Sequence, residues 1–334
     1  MPALEVVERL VGMQAQVPAN PYVGLWSRID GFRADELSEA IASRTAVRAQ
    51  LMRSTIHLVS ARDCLALQPI TAPVLARTFK SPFAARMGSA TLDEVVAAGQ
   101  DLLAERPRTR AELAELLGPR WPDADPSALA HAVTFNLQLV QTPPRGLWGE
   151  SGQATWALTE DWLGARPDRD ARVDELLLRY VAAFGPATPA DFRTWSGLTG
   201  LGEAINALRP RLRTFRDEHG RELLDVEDGL LPDPETPAPP RFLPEFDNAL
   251  LSHADRSRVF RDSGPTYPRG STIGSLLFDG FVHADWKLTR STLTIDGFEP
   301  KRGRDEIENE GLRLLDLLAP EAPKPQVEFS PSRP

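Results

Sequence analysis

The nine residues PDPETPAPP at positions 232–240 divide the chain into two stretches with different hydrophobic periodicity. Proline fixes φ and has no N–H to donate, so a run this dense continues neither a helix nor a central strand and reads as a linker. Before it, apolar residues recur at helical spacing, and three times in succession helical patterns are followed by strand-like sequence. After it, strands predominate: 272–278, 281–288 and 291–295, with Asp279-Gly280 as a hairpin signal. The expected fold class is therefore α+β, with tandem helix-rich units followed by a small C-terminal β-domain, of which a barrel is one form.

The three units have similar order. In residues 1–80, helical patterns at 4–16 and 34–43 precede paired strands between Val47 and Val59. In 88–165, Thr109 with Glu112 forms a capping box, and Pro126-Ser127 opens a helix expected to reach about Gln141 before a turn-rich stretch and a strand. In 168–235, helices at 172–184, 189–195 and 202–208 precede a hairpin around His219-Gly220. Helix, helix, hairpin is the order of a winged helix, so three tandem winged helices are expected. The helix from Ser127 takes the recognition-helix place, but Leu129, Val133, Leu137 and Val140 give it an apolar face, and packing is the better reading. The β-rich domain spans 241–318. The tail 319–334, rich in proline and polar residues, is expected to be disordered.

The single cysteine, Cys64, excludes an intrachain disulfide, a multi-cysteine zinc site and an iron–sulfur cluster, and reads as a buried thiol. His57, His131, His219, His253 and His283 are scattered without metal-ligand spacing, so no metal and no cofactor are expected. No apolar run is long enough to cross a bilayer, and no signal peptide opens the chain, so a cytoplasmic address is expected; a monomer is the accompanying expectation. A net charge of −9 argues against indiscriminate coating of nucleic acid. Between Asp247 and Asp305, however, nine basic residues face eight acidic ones, which allows a local basic face.

One short motif invites chemistry. In LVGMQAQVPANPYVGLW, Gln14 and Gln16 stand where the first helical pattern runs towards Pro18, which biases its neighbour out of the helical region. In an extended exit, positions i and i+2 point the same way and could serve one site; in a continuing helix they diverge. By itself Gln-x-Gln reads as the solvated last turn of a helix.

The stretch GMQAQVPANPYVGLWSRIDGF together with LMRSTIHLV from Leu51, GPATPADFRTWSGL from Gly185 and LPEFDNALLSHADRSRVF from Leu243 resembles the AlkZ/AlkX-type DNA glycosylases, a family of tandem winged helices. The resemblance implies excision of alkylated purines, N7-alkylguanine above all, from double-stranded DNA, with unhooking of interstrand crosslinks by some members. It implies catalytic roles for Gln14 and Gln16. Relatives have more chain before this motif, which implies either a start assigned late or a missing N-terminal helix. Arg53 and His57, four apart in an expected strand, read either as DNA contacts or as a surface arginine and a buried histidine. His253, Arg256 and Arg258 read as DNA-backbone contacts or as an ion-pair network. Against the glycosylase stand a non-catalytic winged-helix regulator and a protein-binding scaffold. Only four lysines are present and none sits in an apolar pocket, which disfavours a Schiff-base lyase. Pro2 as a catalytic secondary amine is disfavoured by the residues after it.

Overall fold

The computed structural model describes residues 1–261, 274–297 and 303–330. In chain order the elements begin α1 (Ala3–Arg9), β1 (Met13–Gln14), α2 (Asn20–Trp26), α3 (Ala34–Ala42), β2 (Ala46–Gln50), β3 (Ile56–Ser60) and α4 (Ala61–Lys80). Next come α5 (Leu92–Glu105), β4 (Arg108–Thr109), α6 (Arg110–Leu117), α7 (Pro126–Asn136), β5 (Leu139–Thr142), β6 (Thr155–Leu158) and α8 (Thr159–Leu163). Then follow α9 (Val173–Phe184), α10 (Pro189–Ser196), α11 (Gly202–Leu208), β7 (Leu212–Arg216) and β8 (Glu222–Val226). The remainder is β9 (Arg241–Leu243), α12 (Asn248–Leu251), β10 (Gly274–Phe278), β11 (Phe281–Thr289), β12 (Thr292–Asp296), α13 (Arg304–Leu318) and β13 (Gln326–Ser330). Two compact units result, one of residues 1–19 and 35–229, the other of 20–34 with the described part of 230–334.

The first unit is built on a six-stranded sheet in the order β1-β3-β2-β5-β6-β4. Its strands come from both of the first two expected winged-helix domains, which are thereby joined through the β2–β5 pairing of Arg48 with Gln141 and Ala49 with Val140. A boundary near residue 80 is not how this sheet divides. The reason is hydrogen bonding: a two-stranded hairpin leaves open edges, and each hairpin here closes one edge of the other. The α4 helix begins at Ser60, whose hydroxyl accepts from Asp63 N–H. Asp63 is buried and paired twice to Arg179 of α9, at 2.9 and 2.5 Å, while Arg179 also donates to the Glu8 carbonyl at 2.7 Å. One guanidinium thus ties α1, α4 and α9 together. Cys64 is buried one turn into α4, and burial pushes its thiol up to about 12. Tyr180, Phe192 and Trp195 pack as an aromatic cluster between α9 and α10. The β7–β8 hairpin forms as expected.

Two expected helices end early. The first stops at Arg9, because Val11 and Gly12 take positive φ (55° and 93°) and Met13 and Gln14 then pair with β3. The helix from Pro126 stops at Asn136, and Leu139 to Thr142 become a strand, where Val140 and Thr142 suit the pleat better than a helix. Most of α7 is buried, which is a packing role rather than a groove-reading one.

The second unit holds a five-stranded sheet, β13-β12-β11-β10-β9, antiparallel except where β13 runs parallel to β12. Residues 20–34 belong here rather than with the first winged helix, since Val23 packs with Phe242, Leu276 and Trp286, and Arg28 holds Asp247 through two bonds of 2.9 and 2.6 Å. The expected disordered tail is corrected as well. Val327 and Phe329 alternate on β13 and pack against the cluster containing Leu293 and Ile295, which orders Gln326–Ser330. Positions 331–334 of that tail, and 272–273 of the expected strand, lie outside the described residues.

Candidate active site

A cavity of about 560 Å3 opens in the first unit. Its floor follows from strand register, because cross-strand partners lie on one face. Arg48 is opposite Gln141, Gln141 opposite Trp156, and Gln50 opposite Ile56. All five line the cavity. The alternation in Arg48-Ala49-Gln50 therefore sends a guanidinium and a carboxamide to one face and a methyl group to the other. The opposite wall comes from α6 and α7. Arg110 follows the capping residue Thr109, and its guanidinium lies over the Trp156 ring at 5.1 Å while Nε donates to Thr134 Oγ1 at 3.0 Å. Burial holds the Arg110 pKa below its usual value.

His131 and Phe83 stack with ring centroids 4.0 Å apart and an interplanar angle of 11°. His131 Nδ1 lies 2.6 Å from the Ser127 carbonyl, which can only accept, so Nδ1 carries the proton and Nε2 is left as the acceptor. Burial, then repulsion from Arg110 and Arg86, lowers the pKa of His131 and favours the neutral ring, although the Ser127 bond and Asp125 oppose this. Arg145, in the β5–β6 connection, donates to the Gly152 carbonyl at 2.9 Å. Three arginines line this cavity and, among the described residues, no carboxylate does. A positively charged concavity sits within a chain of net charge −9.

Gln16 lines this cavity; Gln14 does not. Gln14 is opposite His57, which is opposite Ala49, so it lies on the face away from Arg48 and Gln50. The chain bends after Ala15, and Gln16 turns to the cavity side, where its Oε1 accepts from Ile56 N–H at 3.2 Å. The expectation that both carboxamides point into one site through an extended exit is corrected by that bend. The Gln14 side chain is 8% exposed, and its Oε1 has no partner among the described residues.

Arg53 and His57 lie together, but not in the cavity. Arg53 occupies a left-handed turn between β2 and β3 (φ 54°) and donates to the Trp195 carbonyl. His57 is 2% exposed, with Nδ1 against the Thr55 carbonyl at 3.0 Å and Nε2 facing Arg53 at 3.5 Å. Burial, then Arg53, pushes its pKa down to about 3. A phosphate contact by His57 does not fit this burial; the inward-facing histidine of the two sequence readings does. His253, Arg256 and Arg258 belong to the second unit. Arg258 donates towards His253 Nε2 at 3.2 Å, and His253 Nδ1 is 2.9 Å from Ser252 Oγ. Arg269, Lys301 and Arg302 of the expected basic stretch lie outside the described residues.

Sequence reasoning missed Arg48, Gln50, Arg110, His131, Gln141 and Arg145. Only the alternation of Arg48 with Gln50 in an expected strand signalled any of them. Among the described residues, no helix is long and apolar enough to cross a membrane, and no group of three or more His, Cys, Asp or Glu is placed to hold a metal.

The chain matches the family described as DNA glycosylase AlkZ-like over residues 7–317. A relative, the interstrand DNA cross-link repair glycosylase of Streptomyces sahachiroi, is 24% identical over 246 residues, covering 67% of this chain and 61% of the relative, less than two thirds of its length. The structure of Streptomyces sahachiroi DNA glycosylase AlkZ superposes with a TM-score of 0.76 at 20% identity, over 98% of this chain and 94% of that one, which shows a shared mixed α/β fold.

Proposed function

Because this chain belongs to the DNA glycosylase AlkZ-like family, we propose that it is a monofunctional DNA glycosylase that hydrolyses the N-glycosidic bond of alkylated purines, N7-alkylguanine foremost. Interstrand crosslinks are within the same reading, since the relative is an interstrand DNA cross-link repair glycosylase. The observation that carries the proposal is the cavity, where Gln16 meets three arginines and a stacked aromatic pair.

Each part has a task in this chemistry. An N7-alkylated guanine already bears positive charge and departs without a strong general acid. What remains is to hold the sugar and a water while oxocarbenium character develops. The bond from Ile56 N–H uses one lone pair of Gln16 Oε1 and fixes the side chain; the second lone pair accepts from a water. A carboxamide cannot take that proton as a carboxylate would, which suits a labile bond and not an intact nucleoside. Arg48, Arg110 and Arg145 suit the phosphates flanking the nucleotide, and the Phe83–His131 stack offers a flat face to a base. Gln14 is the second carboxamide of the motif. From the far face of β1 it reaches the same nucleotide only if the bend after Ala15 opens, so Gln16 is assigned the water and Gln14 the supporting place.

The helix–helix–hairpin segments at 88–165 and 168–235 are read as winged helices, and His253, Arg256 and Arg258 as contacts to the DNA backbone. The substrate is duplex DNA and the protein acts as a monomer. The test is release of free N7-methylguanine from alkylated duplex DNA, and unhooking of a duplex crosslinked through guanine N7. Binding without release of base defeats the glycosylase reading in favour of a non-catalytic DNA-binding protein. For the backbone contacts, an unchanged salt slope of DNA binding in Arg256→Ala defeats that assignment.

A further inference from the structure

The turn between β2 and β3 is built on residues that do not favour it. Thr55 N–H closes it on the Met52 carbonyl at 3.1 Å, and the two residues between, Arg53 and Ser54, both have positive φ (54° and 58°). Positive φ at both central positions is found in type I′ turns, where asparagine and glycine are preferred because a larger L side chain crowds its own backbone. An Arg-Ser pair holds such a conformation only where its surroundings over-determine it.

They do so from two sides. On the α4 side, Thr78 Oγ1 meets Ser54 Oγ at 2.8 Å. On the α10 side, the Trp195 carbonyl accepts from Arg53 Nη1. That carbonyl belongs to the last turn of its helix, where C=O groups lack an intrahelical donor and the helix dipole favours a cation. Gly197, at φ +77°, ends α10 so close to the turn that a Cβ on it would fall 3.3 Å from Arg53 N. The end of α10 is thus a seat for the turn.

The strand leaving the turn carries the backbone partner of Gln16. Continuing the register of Gln14 with His57 puts Ala15 opposite Ile56. In a regular antiparallel ladder the two residues of such a pair exchange both N–H···O bonds. Here one of them forms, from Ala15 N–H to the Ile56 carbonyl at 2.7 Å. The Ala15 carbonyl goes to Arg48 at 2.7 Å, and Gln16 Oε1 takes its place on Ile56 N–H. The bond that orients the Gln16 carboxamide therefore comes from the first residue of β3. Ile56 and its cross-strand partner Gln50 form the strand pair nearest the turn, and both line the cavity of Gln16.

We propose that Arg53 is a positioning residue for Gln16: docked on the end of α10, it holds the turn left-handed, and the turn sets where Ile56 presents its N–H. The assignment rests on the glycosylase reading, in which Gln16 holds the water. Without the guanidinium, the turn relaxes towards a commoner type whose twist splays the strands at their turn end. The Gln50–Ile56 pair is what moves.

Glycine separates this role from a contact to DNA, because glycine takes positive φ without a clamp. The experiment measures three things in Arg53→Met and Arg53→Gly: single-turnover release of N7-methylguanine at saturating protein, affinity for the duplex, and hydrogen exchange of the Ile56 amide in DNA-free protein. Arg53→Met is expected to lower the saturating rate about tenfold, to leave affinity within about twofold, and to speed Ile56 exchange relative to the rest of β3. Arg53→Gly is expected to return both the rate and the exchange to within about threefold of the parent. Equal slowing of release in the two variants, or slowing in neither, overturns the proposal. So does weaker duplex binding in both with a shallower salt slope, which marks a phosphate contact instead. Should the unaltered protein release no base, the glycosylase reading fails and Ile56 exchange decides by itself: faster in Arg53→Met and restored in Arg53→Gly upholds the seating of the turn, and any other pattern overturns it.

Discussion

The Arg48 guanidinium donates to the carbonyl of Ala15 at 2.7 Å, so a buried cation of the cavity floor holds the peptide that separates Gln14 from Gln16. The same group reaches the Arg145 carbonyl at 3.4 Å. Lysine keeps the charge but cannot span both oxygens with a planar fork. Arg48→Lys is therefore expected to lower single-turnover base release by about 10- to 100-fold, the worth of a charge-assisted hydrogen bond. Release at the parental rate shows that the bend after Ala15 does not depend on Arg48.

Gly146 is what lets the β5–β6 connection approach Arg48. Its φ is +105°, and a Cβ there falls 2.7 Å from Arg48 Cδ. Gly146→Ala adds backbone strain and pushes against a side chain with little room to retreat. The expected result is a loss of about 1–3 kcal/mol in urea unfolding, together with slower release like that of Arg48→Lys. Stability lost without any change in release separates the loop from the site.

The two glutamines are expected to differ. Gln16→Ala removes the carboxamide that lines the cavity and should lower release of N7-methylguanine by about 100-fold or more, in the range of a lost transition-state contact. Gln14→Leu removes a buried oxygen that has no partner among the described residues, so stability should hold or rise while release falls less. Single-turnover rates with urea midpoints decide it. If Gln14→Leu abolishes release and Gln16→Ala does not, the assignment of the water to Gln16 is wrong.

The Asp63–Arg179 pair is a stability matter. Asp63 is buried at the start of α4 and bonded to Arg179 at both oxygens, so Arg179→Met leaves the carboxylate only the longer contact to the exposed Arg62 at 3.5 Å and leaves the Glu8 carbonyl without that donor. Breaking such a pair costs about 3–5 kcal/mol. Calorimetry should show a lowered Tm for Arg179→Met and recovery of part of it in Asp63→Leu with Arg179→Met. A single variant as stable as the parent shows the pair to be dispensable.

What was legible in the sequence follows from how local each signal is. Thr109 stands three residues before Glu112 and opens a helix with the expected capping box, because that geometry needs only four residues; Thr188 opens another, and Thr91 with Glu94 carries the same signal for a helix that the sequence reading omits. The ends of helices were less legible. Val11 and Val140 fit a helical period, and pairing with distant strands decides against it. The cavity was least legible: Arg48, Arg110 and Gln141 come from three separate elements, and only the sheet register brings them together. The glutamine motif was visible, yet the side to which each glutamine points depends on one bend that nothing in Gln-x-Gln specifies.

His57 makes stability depend on pH in a calculable direction. Its ring is buried, donates from Nδ1 to Thr55 and accepts at Nε2 from Arg53, so protonation places a second charge beside a guanidinium in a dry interior. Burial first and Arg53 second bring its pKa from 6.5 to about 3, against the pull of the Thr55 carbonyl. The unfolded chain therefore takes up the proton first as pH falls. The contribution of this residue is fully present above pH 6.5 and declines as pH drops towards 3, by up to about 1.4 kcal/mol per pH unit. Carboxylates titrating below pH 5 overlap with the lower part of this window, so the measurement is a difference. Urea midpoints at pH 7, 6 and 5 should fall more steeply for the parent than for His57→Gln, which keeps a donor and an acceptor but takes up no proton; His131 and His283, whose pKa values burial also lowers, contribute alike to both proteins. Parallel pH curves for the two proteins would place the acid-sensitive group elsewhere in the fold.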